Sequence, residues 1–239
     1  MYCKINLSYN KSREKLGRDG IMDKGIESIK NGDFEEAAKY YNAAIEKEPD
    51  NPIHYINAGN LLLHQKEYTG AAQAFQKAIT LDDQAATAYY GLGNVYFEMD
   101  KFTEAREQFH IAIQLGLEEA DSYFMMGLSF LYNDQYKLAL PYLQRASELN
   151  KEDVSIQFQY GLALAQSSLL KEAEDVFHEV LKLDSNHSDA YYNLAVIELY
   201  RENVQKALSL FDQALEIEPR HILAANGKKQ IEKMLQDKK

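Results

Sequence analysis

The sequence is poor in the residues that disulfide-bonded, zinc-binding and membrane-spanning chains depend on. Its 239 residues include one cysteine, Cys3, and no tryptophan. A single thiol forbids an intrachain disulfide and any multi-cysteine zinc site. Four prolines and twelve glycines are too few for a loop-rich or low-complexity chain. No apolar run approaches the roughly 18 residues of a membrane span. The amino-terminal stretch MYCKINLSYNKSREKLG lacks the continuous apolar core of a secretory signal. Cations are also in deficit: 26 Lys and Arg face 37 Asp and Glu, a net charge of −11. Phosphate backbones need clustered Lys and Arg, so nucleic acid is disfavoured as a partner. These absences lead to the expectation of a soluble, cytoplasmic protein with neither nucleic acid nor membrane as partner.

The charge that is present is unevenly spread. Residues 1–17 carry Lys4, Lys11, Arg13 and Lys15 against Glu14 alone, a net +3. Residues 227–239 carry five lysines against Glu232 and Asp237, again +3, which leaves −17 for residues 18–226. That anionic stretch repeats every 34 residues without a gap, as 18–51, 52–85, 86–119, 120–153, 154–187 and 188–221. Position 8 of the unit reads Gly25, Gly59, Gly93, Gly127, Gly161 and Ala195, and position 20 is alanine in all six. Position 24 is always large, as Tyr41, Phe75, Phe109, Leu143, Phe177 and Phe211.

Apolar residues recur at helical spacing in each half of a unit, so each unit reads as two helices joined by a short turn. A mid-helix glycine costs about 1 kcal/mol relative to alanine, so five at one repeat position need a packing reason. Without a side chain there, two helix axes can approach closely, and the large residues at position 24 fill the space around them. One hairpin cannot bury both of its faces, so neighbouring units must stack. Gln157 stands where four of the other five units carry a tyrosine while Tyr160 enlarges a nearby position, which suggests a size exchange. Pro141 falls early in a second helix. Beyond residue 221, Ala224, Gly227, Ile231, Met234 and Leu235 form one apolar stripe, which reads as a capping helix over 222–239. Residues 1–17 read as a tail, either disordered or a partial cap.

These residues resemble the tetratricopeptide repeat family, with Tyr89, Leu92, Gly93, Tyr96, Ala105, Phe109 and Ala112 of the third unit matching its pattern. The resemblance implies an all-α fold, a right-handed superhelical solenoid of antiparallel helix pairs. It also implies a concave groove lined by positions 2, 5, 6, 9, 12 and 13 of the first helices. Carried over by position, the groove candidates are Asp23, Asn57, Asn60, Tyr90, Asn94, Glu98, Asp121, Phe124, Tyr192 and Asn193. Asn57 and Asn60 are three apart and share a helix face, and Asn94 repeats the place of Asn60 one unit later. An asparagine amide offers a donor and an acceptor, matching a peptide bond. The alternative is that these amides solvate the groove or bond to neighbouring helices. The relatives that capture a terminal carboxylate want lysine at position 5 and arginine at position 6. Here position 5 is Met22, Ile56, Tyr90, Phe124, Phe158 and Tyr192, and arginine never occupies position 6.

No catalytic constellation appears: GxSxG, GxxxxGK[ST] and HExxH are all missing. The six histidines show no ligand spacing and read as solvated or boundary side chains, so no metal and no cofactor is expected. The reading is a non-enzymatic adaptor, a monomer or weak self-associator, holding a neutral-to-basic protein segment. A structural module that self-associates through its terminal helices is the alternative. An RNA-binding repeat is disfavoured by the −17 of residues 18–226.

Overall fold

Each 34-residue unit of the sequence becomes two helices joined by a tight turn. A computed structural model of the chain describes residues 20–236, with side chains from Lys24 onward. The expectations for residues 1–17 and for the side chain of Asp23 lie outside the described residues. Among the described residues every regular element is an α-helix, thirteen in all. They fall into two compact units, one ending at Met99 and the other beginning at Asp100.

The first unit holds α1 (Gly20–Lys30), α2 (Phe34–Lys47), α3 (Pro52–His64), α4 (Tyr68–Leu81) and α5 (Ala86–Glu98). Its main core is Phe75 with Ile56, Ala71, Ala78, Ala88, Leu92 and Val95. The close approach expected of position 8 is present, since a Cβ on Gly59 would lie 2.9 Å from the Phe75 ring. Gly91, from the next repeat, is tighter still, with a Cβ there meeting the same ring at 2.2 Å. One phenylalanine is thus packed against bare backbone from two successive first helices.

The second unit holds α6 (Phe102–Gln114), α7 (Ala120–Leu131), α8 (Tyr136–Leu149), α9 (Val154–Gln166), α10 (Leu170–Leu183), α11 (Ser188–Tyr200), α12 (Val204–Ile217) and α13 (Ile222–Gln236). Buried Phe177 and Phe211 anchor two of its clusters. Ala224 and Ile231 of α13 close the last cluster against Ala195, Ala207 and Ala214. The apolar stripe of α13 ends there, because Met234 is 57% exposed and Leu235 is also exposed. Pro141 is the sixth residue of α8, beyond the four free N–H groups of a helix start, so it does remove one helical hydrogen bond.

The turn inside each repeat has one conformation. Gly32, Lys66, Asp100, Asp134, Ser168 and Glu202, all at position 15, have φ between 55° and 76°. In five of the six the next N–H reaches back over the helix end, as in Glu67 to the Leu62 carbonyl at 2.8 Å and Leu169 to Leu164 at 3.0 Å. This left-handed stop satisfies carbonyls that would otherwise be left over at the helix end.

Junctions between repeats are tied by side chains. The Tyr55 hydroxyl donates to the Pro49 carbonyl at 2.9 Å. Gln157, at the same position, donates through Nε2 to the equivalent Lys151 carbonyl at 3.3 Å and accepts from Ser147 Oγ at 2.8 Å. The exchange of tyrosine for glutamine therefore conserves a hydrogen bond, where a compensation of size was expected.

Candidate functional site

In the first unit, α3 and α5 carry the asparagines. Asn51 caps α3 by accepting from the Ile53 N–H at 3.1 Å, and Pro52 begins the helix. Asn57, one and a half turns on, is only 7% exposed, and its Nδ2 is buried with no hydrogen-bond partner. Asn94 on α5 is half-buried, and its Oδ1 is likewise buried and unpartnered. Asn60 and Tyr90 are half-buried and Glu98 is exposed. A buried polar atom left unpaired costs about 1–3 kcal/mol, and native interiors keep few of them. One unsatisfied donor and one unsatisfied acceptor thus occur on asparagines of neighbouring first helices.

In the second unit the candidates divide differently. Asp121, in the first turn of α7, is half-buried. Burial pushes its carboxyl above the usual range, and the nearby carboxylates of Asp153 and Glu119 push it further the same way. Asn193 spends its amide locally, donating to the Asp189 carbonyl one turn back at 2.7 Å. Tyr192 lies 5.9 Å from the Phe211 ring and 5.4 Å from His221, and Phe158 lies 5.8 Å from Phe177 and 4.5 Å from His187. Phe124 packs against Ala139, Leu143 and Ala163. The position-5 aromatics therefore serve the core as well as the surface.

Three features were not anticipated. His187 and His221 share position 34 and cap α11 and α13, accepting through Nδ1 from Ala190 N–H at 3.3 Å and Ala224 N–H at 3.1 Å. His54 and His221 are buried rather than solvated, while His64, His110 and His178 are exposed. Glu198 is buried within a network of Asn203, Lys206, Arg201 and Glu174. Finally, Leu131, Tyr136, Gln159, Leu162 and Gln166 line a cleft of about 180 Å³. Beside it, a recess of about 300 Å³ shares Tyr136 and Gln166 and reaches Lys137 and Leu138. The 34-residue frame already held the signal for the histidines, because Asn51 and Asp153 occupy the same capping position.

Family models described as tetratricopeptide repeat match residues 22–86, 62–114, 124–187 and 188–221. The chain belongs to the tetratricopeptide repeat family. No curated protein matches the sequence. Among solved structures, YrrB, described as a tetratricopeptide repeat protein with an unusual peptide-binding site, is 44% identical. The match covers 80% of this chain and 99% of YrrB, with a TM-score of 0.76. PilF of Pseudomonas aeruginosa is 17% identical over 89% of this chain and 96% of its own, with a TM-score of 0.77. MamA is 21% identical over 71% and 92%, with a TM-score of 0.66. These last two share the fold alone. As a tetratricopeptide repeat protein, the chain has the all-α solenoid fold, with tandem repeats followed by a terminal helix. Family and fold support a role as a protein–protein interaction adaptor. No helix among the described residues is long and apolar enough to cross a membrane.

Proposed function

We propose that this tetratricopeptide repeat protein is a non-enzymatic adaptor. It holds an extended, neutral-to-basic protein segment against the first helices of its repeats. The observation that carries the reading is the pair of buried, unpartnered amide atoms, Asn57 Nδ2 and Asn94 Oδ1. The peptide bonds of a ligand offer the matching chemistry, a C=O to accept and an N–H to donate, once the two buried amides turn outward to meet it. Because such contacts use backbone groups, they hold a segment without dictating its sequence.

The preference for a basic segment rests on the second unit. Asp121 faces Asp153 and Glu119, and a ligand cation would relieve that repulsion. Lysine is absent from position 5 throughout, which argues against capture of a terminal carboxylate. YrrB, almost half identical in sequence, is itself described as having a peptide-binding site, which supports peptide binding here.

Fluorescence anisotropy with labelled synthetic peptides of matched length tests this. Peptides of net positive charge should bind and weaken steeply as salt rises, since exposed attraction is screened within about 10 Å at 0.1 M. Peptides of net negative charge should not bind. Equal binding of both signs would defeat the charge preference, and binding of neither would defeat the adaptor reading.

A further inference from the structure

We propose that the second unit reads its ligand at two points in register: a Lys or Arg beside Asp121, and a large apolar side chain in the cleft beside Leu131, four or five extended residues away. This rests on the peptide-binding reading above and specifies the peptide.

The cleft is built to take a side chain. Leu131 comes from the end of α7, while Gln159, Leu162 and Gln166 lie on one face of α9. Residues three, four and seven apart on a helix are stacked neighbours, so the two glutamines bracket Leu162. Both amides are uncommitted to any hydrogen bond among the described residues, and Tyr136, which also lines the cleft, donates to Asp134 Oδ1 at 2.6 Å. Leu138, at the adjoining recess, is 55% exposed. Apolar walls with free amides on either side suit an apolar side chain flanked by its own peptide bonds. Gln159 and Gln166 are about 10 Å apart along the helix, close to three residues of extended chain.

Charge decides which segment fits. The opposite end of the same two helices is anionic: Asp121 is in the first turn of α7, Glu119 precedes it, and Asp153 caps α9. Asp153 spends one oxygen on the Ser155 and Ile156 N–H groups, at 2.9 and 3.0 Å, which holds its carboxylate at the start of α9 where its charge acts on Asp121. Asp121 has no cation beside it among the described residues. It is ten residues from Leu131 along α7, a rise of about 15 Å. An extended chain advances about 3.3 Å per residue, so four to five residues span the interval. The occupant is therefore an extended segment with one basic and one large apolar residue at that separation.

The test uses fluorescein-labelled peptides of Gly, Ser and Asn carrying one Arg and one Leu, in both orders, at separations from one to eight residues. Affinity for the full chain should peak at four or five, about tenfold above the short separations, the worth of burying one such side chain. Asp121→Asn should abolish the advantage of Arg, and Gln166→Trp, an exposed change that fills the cleft, should abolish the advantage of Leu. An affinity independent of separation, or either variant behaving as wild type, would overturn the two-point reading while leaving peptide binding intact. If no basic peptide binds, with or without Leu, the adaptor reading falls as well. Self-association of the unliganded protein that Gln166→Trp abolishes would place a second copy in the cleft and also overturn it.

Discussion

Glu198 is 2% exposed and accepts a 2.6 Å hydrogen bond from Lys206 Nζ. Asn203 donates to the same carboxylate at 2.7 Å, and Arg201, 3.4 Å away, reaches on to Glu174 at 2.7 Å. Three helices, α10, α11 and α12, are joined by this one cluster. Other repeats place Leu62, Tyr96, Phe130 and Leu164 at the position of Glu198. A buried carboxylate survives there because donors surround it.

The cluster makes stability acid-sensitive. Hydrogen bonds from Lys206 and Asn203 hold the Glu198 carboxyl below its usual range, and Arg201 does the same for Glu174. The folded state then binds fewer protons than the unfolded chain at mildly acid pH. The stabilisation is complete above the ordinary glutamate value of about 4.3 and is lost as pH falls through the lower folded values. Urea denaturation from pH 7 to pH 3 should show this loss, with Glu198→Gln flattening it. Lys206→Ala should cost about 1–2 kcal/mol at pH 7, less than for a buried donor because its ammonium is half in water. An unchanged acid limb in Glu198→Gln would contradict the assignment.

Two glycines of the first unit should respond in opposite directions. Gly91→Ala drives a Cβ to 2.2 Å from Phe75, a ring already close to Gly59. The overpacking should cost about 2–3 kcal/mol. Gly70, in α4, meets nothing closer than the end of Leu62 at 3.4 Å. Gly70→Ala should stabilise by about 0.5–1 kcal/mol through helix propensity. Chemical denaturation of both variants checks the pair, and a stabilising Gly91→Ala would show that Phe75 can move.

The repeated left-handed turn offers a separate check. Lys66 and Glu202 are exposed, at φ 62°, where a side chain is strained and glycine is not. Lys66→Gly and Glu202→Gly should each be neutral or gain about 0.5 kcal/mol, despite the entropy glycine adds to the unfolded chain. A loss of more than about 1 kcal/mol in both would mean that their side chains matter to the turn.

The repeat register was legible because small and large residues at fixed spacing have one packing solution. Gly59 against Phe75 follows from it directly. Gln157 was not legible in the same way. Its partner is the carbonyl of Lys151, whose placement depends on how one repeat hands the chain to the next. His187 and His221 were misjudged as ordinary boundary residues, since a capping role shows only when the helix start is fixed to the residue. The apolar stripe of α13 was overextended to Met234 and Leu235 because periodicity marks a face and not where its partner ends. Of the candidate site, sequence position located the asparagines of α3 and α5, but the lack of partners for Asn57 Nδ2 and Asn94 Oδ1 is a property of the packed structure. Asn193, of the same residue type, is satisfied by its own helix.

Asn57→Ala combined with Asn94→Ala tests the central claim most directly, with a thermal melt and a basic-peptide titration run on the same preparation. Asparagines held for a ligand give nothing to the empty fold, so stability should stay within about 0.5 kcal/mol of wild type or rise as the unpaired groups disappear. Peptide affinity should fall about tenfold or more, the worth of one to two hydrogen bonds. A clear drop in melting temperature with unchanged peptide affinity would contradict the account and return both side chains to the architecture of the repeats.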